Sequence, residues 1–144
     1  MTTIAYKDGI VAFDSRITRG DIVLDNNYNK LLTSKGLKLV CCGALPDCHI
    51  ALSILSEGLA EEVENSSTGN LEFYGYLIDN SKVYSIYFRG GCVVKLPLKD
   101  VNASGSGMEF ALGAMEAGAS AKEAVKIACK YDIRSGGRVR TTKV

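Results

Sequence analysis

One histidine is all this chain has, His49, so the imidazole-based triads would have to rest on a side chain placed inside a predicted helix. A triad needs its histidine beside both a nucleophile and an orienting group, and a lone helical histidine is more often structural. No excess of charge of either sign is present: net charge is +1 and the pI about 7.6. That gives no sign of the strongly basic face on which nucleic-acid binding rests. No stretch nears the ~18 consecutive apolar residues of a membrane span, and the start lacks the basic leader and apolar run of a secretory signal. The cysteines are Cys41, Cys42, Cys48, Cys92 and Cys129, an odd number without a regular framework. This points to reduced thiols in the cytoplasm. Cys41-Cys42 with Cys48-His49 fits no zinc spacing, and adjacent strand residues face opposite sides. These cysteines read as buried apolar residues.

What is present is an ordinary globular composition in a length that suits one domain, residues 1–144. Thr3–Lys7 and Ile10–Phe13 read as strands joined by Asp8-Gly9, a favoured dipeptide for a two-residue hairpin turn. Residues 22–24 and 30–33 are short extended candidates. Leu37–Cys42 is a nearly continuous apolar run between glycines, hence a buried strand. Pro46 opens a helix, in which Cys48, Leu52, Leu55, Leu59 and Val63 form one apolar stripe. Residues 66–70 read as a loop. Residues 71–78, 83–88 and 92–96 read as an antiparallel meander.

The last third reads as helical. Ser106-Gly107-Met108-Glu109 and Ser120-Ala121-Lys122-Glu123 both have the form of a capping box. Met108, Leu112 and Met115 would line the first of these helices, and Ala124, Val125, Ala128 and Tyr131 the second. Residues 138–144 can return as a final strand. Helices segregated from antiparallel strands predict an α+β domain. Two facing sheets with helices outside, a four-layer α/β/β/α sandwich, would use all these faces.

Two candidate chemistries start from the residues themselves. Gly105-Ser106-Gly107 ahead of a helix could hold an anion, but it is too short for a phosphate loop and no Lys-Ser/Thr follows. Thr2 follows the initiator methionine, and so small a residue permits removal of Met1. The product carries a free α-amine beside its own hydroxyl. Such an amine has a pKa of about 7.7–8.0, suited to a base near neutral pH, and it is one recognised activator of a threonine nucleophile.

Six ordered segments support that second chemistry. They are Thr2-Thr3-Ile4-Ala5, Ala12-Phe13-Asp14-Ser15-Arg16, Asn29-Lys30-Leu31, Gly43-Ala44-Leu45-Pro46-Asp47, Ala103-Ser104-Gly105-Ser106-Gly107 and Asp132-Ile133-Arg134-Ser135-Gly136-Gly137. Together they resemble the proteasome β-subunit family, including its bacterial heat-shock relative that works with an unfoldase. The resemblance spans nearly the whole chain and implies the N-terminal nucleophile hydrolase fold. It implies a threonine endopeptidase with Thr2 as nucleophile. Lys30 would ease deprotonation, Asp14 would orient Lys30 with Arg16 nearby, and the Gly43 N–H would donate to the oxyanion. Ser106, Asp132 and Ser135 would shape the network around the amine. The resemblance implies no required cofactor, and a structural Na or Mg ion on carbonyls near Cys129, Asp132 and Ser135. As partners it implies peptide or unfolded protein substrates, an ATPase unfoldase and a homo-oligomer. The family places two long helices after the strand ending at Cys42, and residues 46–65 leave room for one. Two other readings stay open: a small-molecule amide hydrolase on the same fold, and a non-catalytic binding or inhibitory homologue.

Overall fold

The computed structural model describes residues 1–57, 72–89 and 92–144. They fall into two compact units, Met1–Lys30 with Lys99–Val144, and Leu31–Leu98. Each is described by itself.

The first unit is built on the hairpin of β1 (Thr3–Lys7) and β2 (Ile10–Phe13). Its turn takes left-handed φ at both Asp8 (52°) and Gly9 (73°), as a twist-matched two-residue turn requires. β1 also pairs antiparallel with β10 (Asn102–Gly105), and β2 with β11 (Arg140–Lys143), giving the order β10-β1-β2-β11. A separate two-stranded ribbon joins β3 (Ile17–Arg19) to β4 (Ile22–Asp25). Neither β3 nor β10 is expected from the sequence; the residues of β10, Asn102 to Gly105, are poor strand formers and are held by pairing with β1.

Two helices pack on the four-stranded sheet: α2 (Met108–Glu116) and α3 (Ala121–Tyr131). Their shared core holds Ala5, Ala12, Ala111, Met115, Ala121, Ala124, Val125 and Ala128. Small residues dominate it, so helix and sheet backbones approach closely. Lys7 crosses to the end of α2, where its Nζ donates to the carbonyls of Met115 and Ala119, both at 3.0 Å. A cation there suits the negative end of the helix.

The capping box at Ser120 is present in full, with Ser120 and Glu123 bonding reciprocally. The one expected at Ser106 is not. Gly107 is the N-cap of α2 and no side chain caps it, because the helix starts one residue later than that box requires and Phe110, not Glu109, stands at N3. The expected apolar face of α2 is also corrected. Met108 (45% exposed) and Leu112 (41%) face outward, and Ala111 and Met115 take the core. On α3, Tyr131 is likewise 66% exposed and stacks on Phe110.

The second unit is a five-stranded antiparallel sheet in the order β5-β6-β7-β8-β9, covered among the described residues by one helix. The strands are Leu31–Ser34, Leu37–Cys42, Phe73–Asp79, Lys82–Arg89 and Cys92–Pro97. The helix, α1 (Leu45–Ser56), buries Cys48, Ala51, Leu52 and Leu55 against Leu39, Phe73, Ile86 and Phe88. The expected continuation of this helix through Leu59 and Val63, and the loop at 66–70, lie outside the described residues. One expectation is overturned here: Cys41 and Cys48 are joined as a disulfide rather than left as separate thiols. The first turn of α1 lies over the end of β6, which brings the two sulfurs together. Cys42, on the opposite face of the strand, is buried and takes no part in the disulfide.

Candidate active site

Thr2 sits immediately before β1 and Asp14 immediately after β2, so the hairpin register brings them to the same end of the sheet. Asp14 is fully buried and collects four donors. The Thr3 N–H (3.1 Å) and Lys30 Nζ (2.8 Å) donate to Oδ1. The Gly136 N–H (2.9 Å) and Arg16 N–H (3.2 Å) donate to Oδ2. A buried carboxylate is tolerable only with such compensation.

Lys30 is also buried, and its ammonium donates in three directions. Besides Asp14 it reaches Thr2 Oγ1 at 2.9 Å and the Met1 carbonyl at 3.1 Å. The fixed positive charge therefore lies against the Thr2 hydroxyl, where it would stabilise an alkoxide, and Asp14 sets its direction. The Arg16 side chain does not join this group. Its Nε donates to Asn26 Oδ1 and its other arm to the Ile133 carbonyl, both at 2.9 Å.

A second cluster forms at the end of α3. The Ser106 hydroxyl (2.5 Å) and the Ser135 hydroxyl (2.6 Å) both donate to Asp132 Oδ2, and the Arg134 N–H donates to Oδ1 at 3.1 Å. Ser106 precedes the N-cap Gly107, and its hydroxyl proton goes to the carboxylate. Burial alone would raise the Asp132 pKa. The bonds from Ser106, Ser135 and Arg134, with the field of the positive N-terminus, outweigh it and hold the carboxyl below its usual range.

The cluster is tightly packed. Ser106 N–H donates to the Thr2 carbonyl at 2.9 Å. A Cβ at Gly107 would overlap Thr3 Oγ1 and crowd Ala128 and Asp132, so the second glycine of Gly-Ser-Gly is needed for space. Gly136 is similarly confined by the Arg16 guanidinium.

Of the residues singled out from sequence, Thr2, Asp14 and Lys30 come together, and Ser106, Asp132 and Ser135 come together beside them. Gly43 follows β6 in the other unit, with φ at 137°. Cys129 lies in the last turn of α3, its thiol pushed up to about 11 by burial and then by Asp14. Among the described residues no cluster of His, Cys, Asp or Glu side chains could hold a metal ion. A cation at this helix end would have backbone oxygens to bind. Those are hard donors suited to Na or Mg, although the Asp132 carbonyl already accepts the Ser135 N–H at 3.1 Å.

Sequence reasoning passed over Thr3 and Gly136. Both donate backbone N–H groups to Asp14, and no side-chain pattern advertises a backbone donor.

No protein-family model and no curated protein sequence matches the chain. Solved structures do. The BPH protein of Thiobacillus denitrificans in complex with epoxomicin is 18% identical, with a TM-score of 0.70 over 99% of this chain and 97% of that one. The same protein without that partner gives 0.65 at 18% identity, over 99% and 96%. Eukaryotic HslV from Trypanosoma brucei is 19% identical, with a TM-score of 0.70 over 97% of both chains. The fold is therefore the proteasome-type N-terminal nucleophile fold that the six sequence segments imply.

Proposed function

We propose that this chain is a threonine endopeptidase whose nucleophile is Thr2 after removal of Met1. The observation that carries the reading is the buried Lys30 ammonium, held by Asp14 at 2.8 Å and set 2.9 Å from Thr2 Oγ1. Pairing with Asp14 compensates the buried Lys30 charge, but that pair alone does not require the ammonium to face the Thr2 hydroxyl as well.

With Met1 gone, the Thr2 nitrogen becomes a free amine able to take the hydroxyl proton. The oxygen attacks the peptide carbonyl while Lys30 stabilises the charge remaining on it. The resemblance assigns the tetrahedral oxyanion to the Gly43 N–H, an interaction worth about 2.7–4 kcal/mol in acyl transfer. The ammonium then returns its proton to the leaving amine, which leaves an ester on Thr2. Water, deprotonated by the same amine, hydrolyses it. Asp132 is held as an anion, and its charge favours the ammonium form at the N-terminus. A hard cation on the carbonyls of Cys129, Asp132 and Ser135 would neutralise the end of α3 and take no part in these steps. On the same reading the substrates are peptides or unfolded polypeptides in the cytoplasm, delivered by an ATPase unfoldase to an assembly of several copies.

Intact mass before and after epoxomicin tests the proposal. The probe follows from the bound BPH structure, and an epoxyketone needs both the free amine and the hydroxyl of an N-terminal threonine. Loss of Met1 and one adduct are expected, with no adduct on Thr2→Ala. A Met1-free chain that takes no adduct refutes a competent threonine site in the isolated protein.

A further inference from the structure

Thr3 is completely buried, yet it is polar and lies in a strand whose next inward residue is Ala5. Its two polar groups lead to two different carboxylates. The backbone N–H donates to Asp14 Oδ1 at 3.1 Å. The hydroxyl lies 2.6 Å from Ser135 Oγ.

The direction of that second bond follows from proton counting. Ser135 has one hydroxyl proton, and it goes to Asp132 Oδ2, because an ionised carboxylate can only accept. Ser135 Oγ must therefore receive its proton from Thr3. The chain runs Thr3 to Ser135 to Asp132, each donor polarising the next. Gly107 closes over it, leaving no room for a side chain against Thr3 Oγ1.

We infer that Thr3 is a positioning residue, which fixes the Thr2 amine between the Asp14–Lys30 pair and the Asp132–Ser135–Ser106 cluster. Thr3 is covalently next to Thr2, so tying its nitrogen to one carboxylate and its hydroxyl to the other sets where the amine stands. A strand residue needed only for packing would be served by valine, which has the same shape. The inference builds on the threonine-nucleophile reading but is testable apart from it.

The test compares Thr3→Val and Thr3→Ser with the parent, all as full chains freed of Met1 by a methionine aminopeptidase. Competitive acetylation of the Thr2 α-amine with acetic anhydride across pH reads the amine pKa without requiring any peptidase activity. Of the charged groups in the site, Lys30 donates to Thr2 Oγ1, Asp14 holds Lys30, and Asp132 lies in the field of the N-terminus. In Thr3→Val the Ser135 hydroxyl loses its incoming donor, and its bond to Asp132 Oδ2 weakens while Ser106 and Arg134 still hold that carboxylate. The anion is less firmly set against the ammonium, and the amine pKa falls. Thr3→Ser keeps the hydroxyl and restores it.

In an active enzyme, kcat per epoxomicin-titrated site falls about tenfold in Thr3→Val with KM little changed. That factor is the rate equivalent of ~1.4 kcal/mol. Ser135→Ala covers the case of a Thr3→Val chain that does not fold. It lowers the amine pKa in the same direction with Thr3 intact. Where both single variants fold, combining them adds nothing further. Identical amine titrations in parent, Thr3→Val and Ser135→Ala would overturn the inference even in a fully active peptidase. A shifted titration in a chain that takes no epoxomicin would uphold it while the peptidase reading fails.

Discussion

Asp14→Ala and Lys30→Met break one ion pair from opposite ends, and the structure makes their costs unequal. Losing one partner of a buried pair costs about 3–5 kcal/mol. After Lys30→Met the carboxylate is still held by the N–H groups of Thr3, Gly136 and Arg16, which keeps the loss near the lower limit, about 3 kcal/mol. Asp14→Ala leaves the ammonium without its anion and also strands donors. Thr3 and Gly136 are both buried, so water does not readily replace the lost acceptor there. Two buried orphans add roughly 1–3 kcal/mol each. The total, about 5 kcal/mol or more, approaches the whole stability of an ordinary domain. Urea denaturation at pH 7, followed by circular dichroism, should show Lys30→Met folded with a lowered midpoint. Asp14→Ala should be far less stable or unfolded. Equal midpoints, or a more stable Asp14→Ala, would refute the claim that Asp14 is the structural hub and Lys30 its dependent.

Two further outcomes are expected. Ser120→Ala removes a true capping box and should cost about 1 kcal/mol in a thermal or urea melt, whereas Ser106→Ala removes a bond to Asp132 and should leave the α2 cap unchanged. Because the Asp132 pKa is depressed on folding, its ionisation stabilises the native state above the ordinary carboxylate range near pH ~4. That contribution is lost as pH falls through the depressed value. Asp132→Asn should flatten this acid limb in midpoint measurements taken from about pH 5 downward, at and below the ordinary carboxylate pKa.

The elements legible in the sequence are those fixed by neighbours in the chain. Asp8-Gly9 announces its hairpin, and Ser120 with Glu123 announces α3, because turn and cap are complete within four residues. Ser106 with Glu109 carries the same local signature and the structure does not honour it. The helix starts one residue later, at the N-cap Gly107, and the Ser106 hydroxyl donates to a carboxylate twenty-six positions away, a partner that separation in sequence conceals. β10 is invisible for a similar reason: Asn102, Ala103, Ser104 and Gly105 favour a turn, and only pairing with β1 makes them a strand. The Cys41–Cys48 link depends on how α1 lies over β6, which the spacing of seven does not disclose. In the site, Thr2, Asp14 and Lys30 were readable as residue types in an ordered pattern. Thr3 was not, since its partner Ser135 lies at the other end of the chain.

The same bonds that assemble the candidate site assemble the first unit. Asp14 ties the start of β1, the turn after β2, Lys30 and the loop ahead of β11 through one carboxylate. Loss of activity in an Asp14 variant would therefore say nothing specific about chemistry, because the fold would be failing at the same point. Thr2 is different. Its side chain holds none of the four bonds to Asp14, and removing its oxygen leaves Lys30 paired with the carboxylate and the Met1 carbonyl, or with the amine's surroundings once Met1 is gone. Thr2→Ala is consequently the variant that separates catalysis from architecture. A Thr2→Ala chain with the parent's denaturation midpoint and no epoxomicin adduct would place the chemistry on that hydroxyl, and one that unfolds would show that the hydroxyl is part of the scaffold.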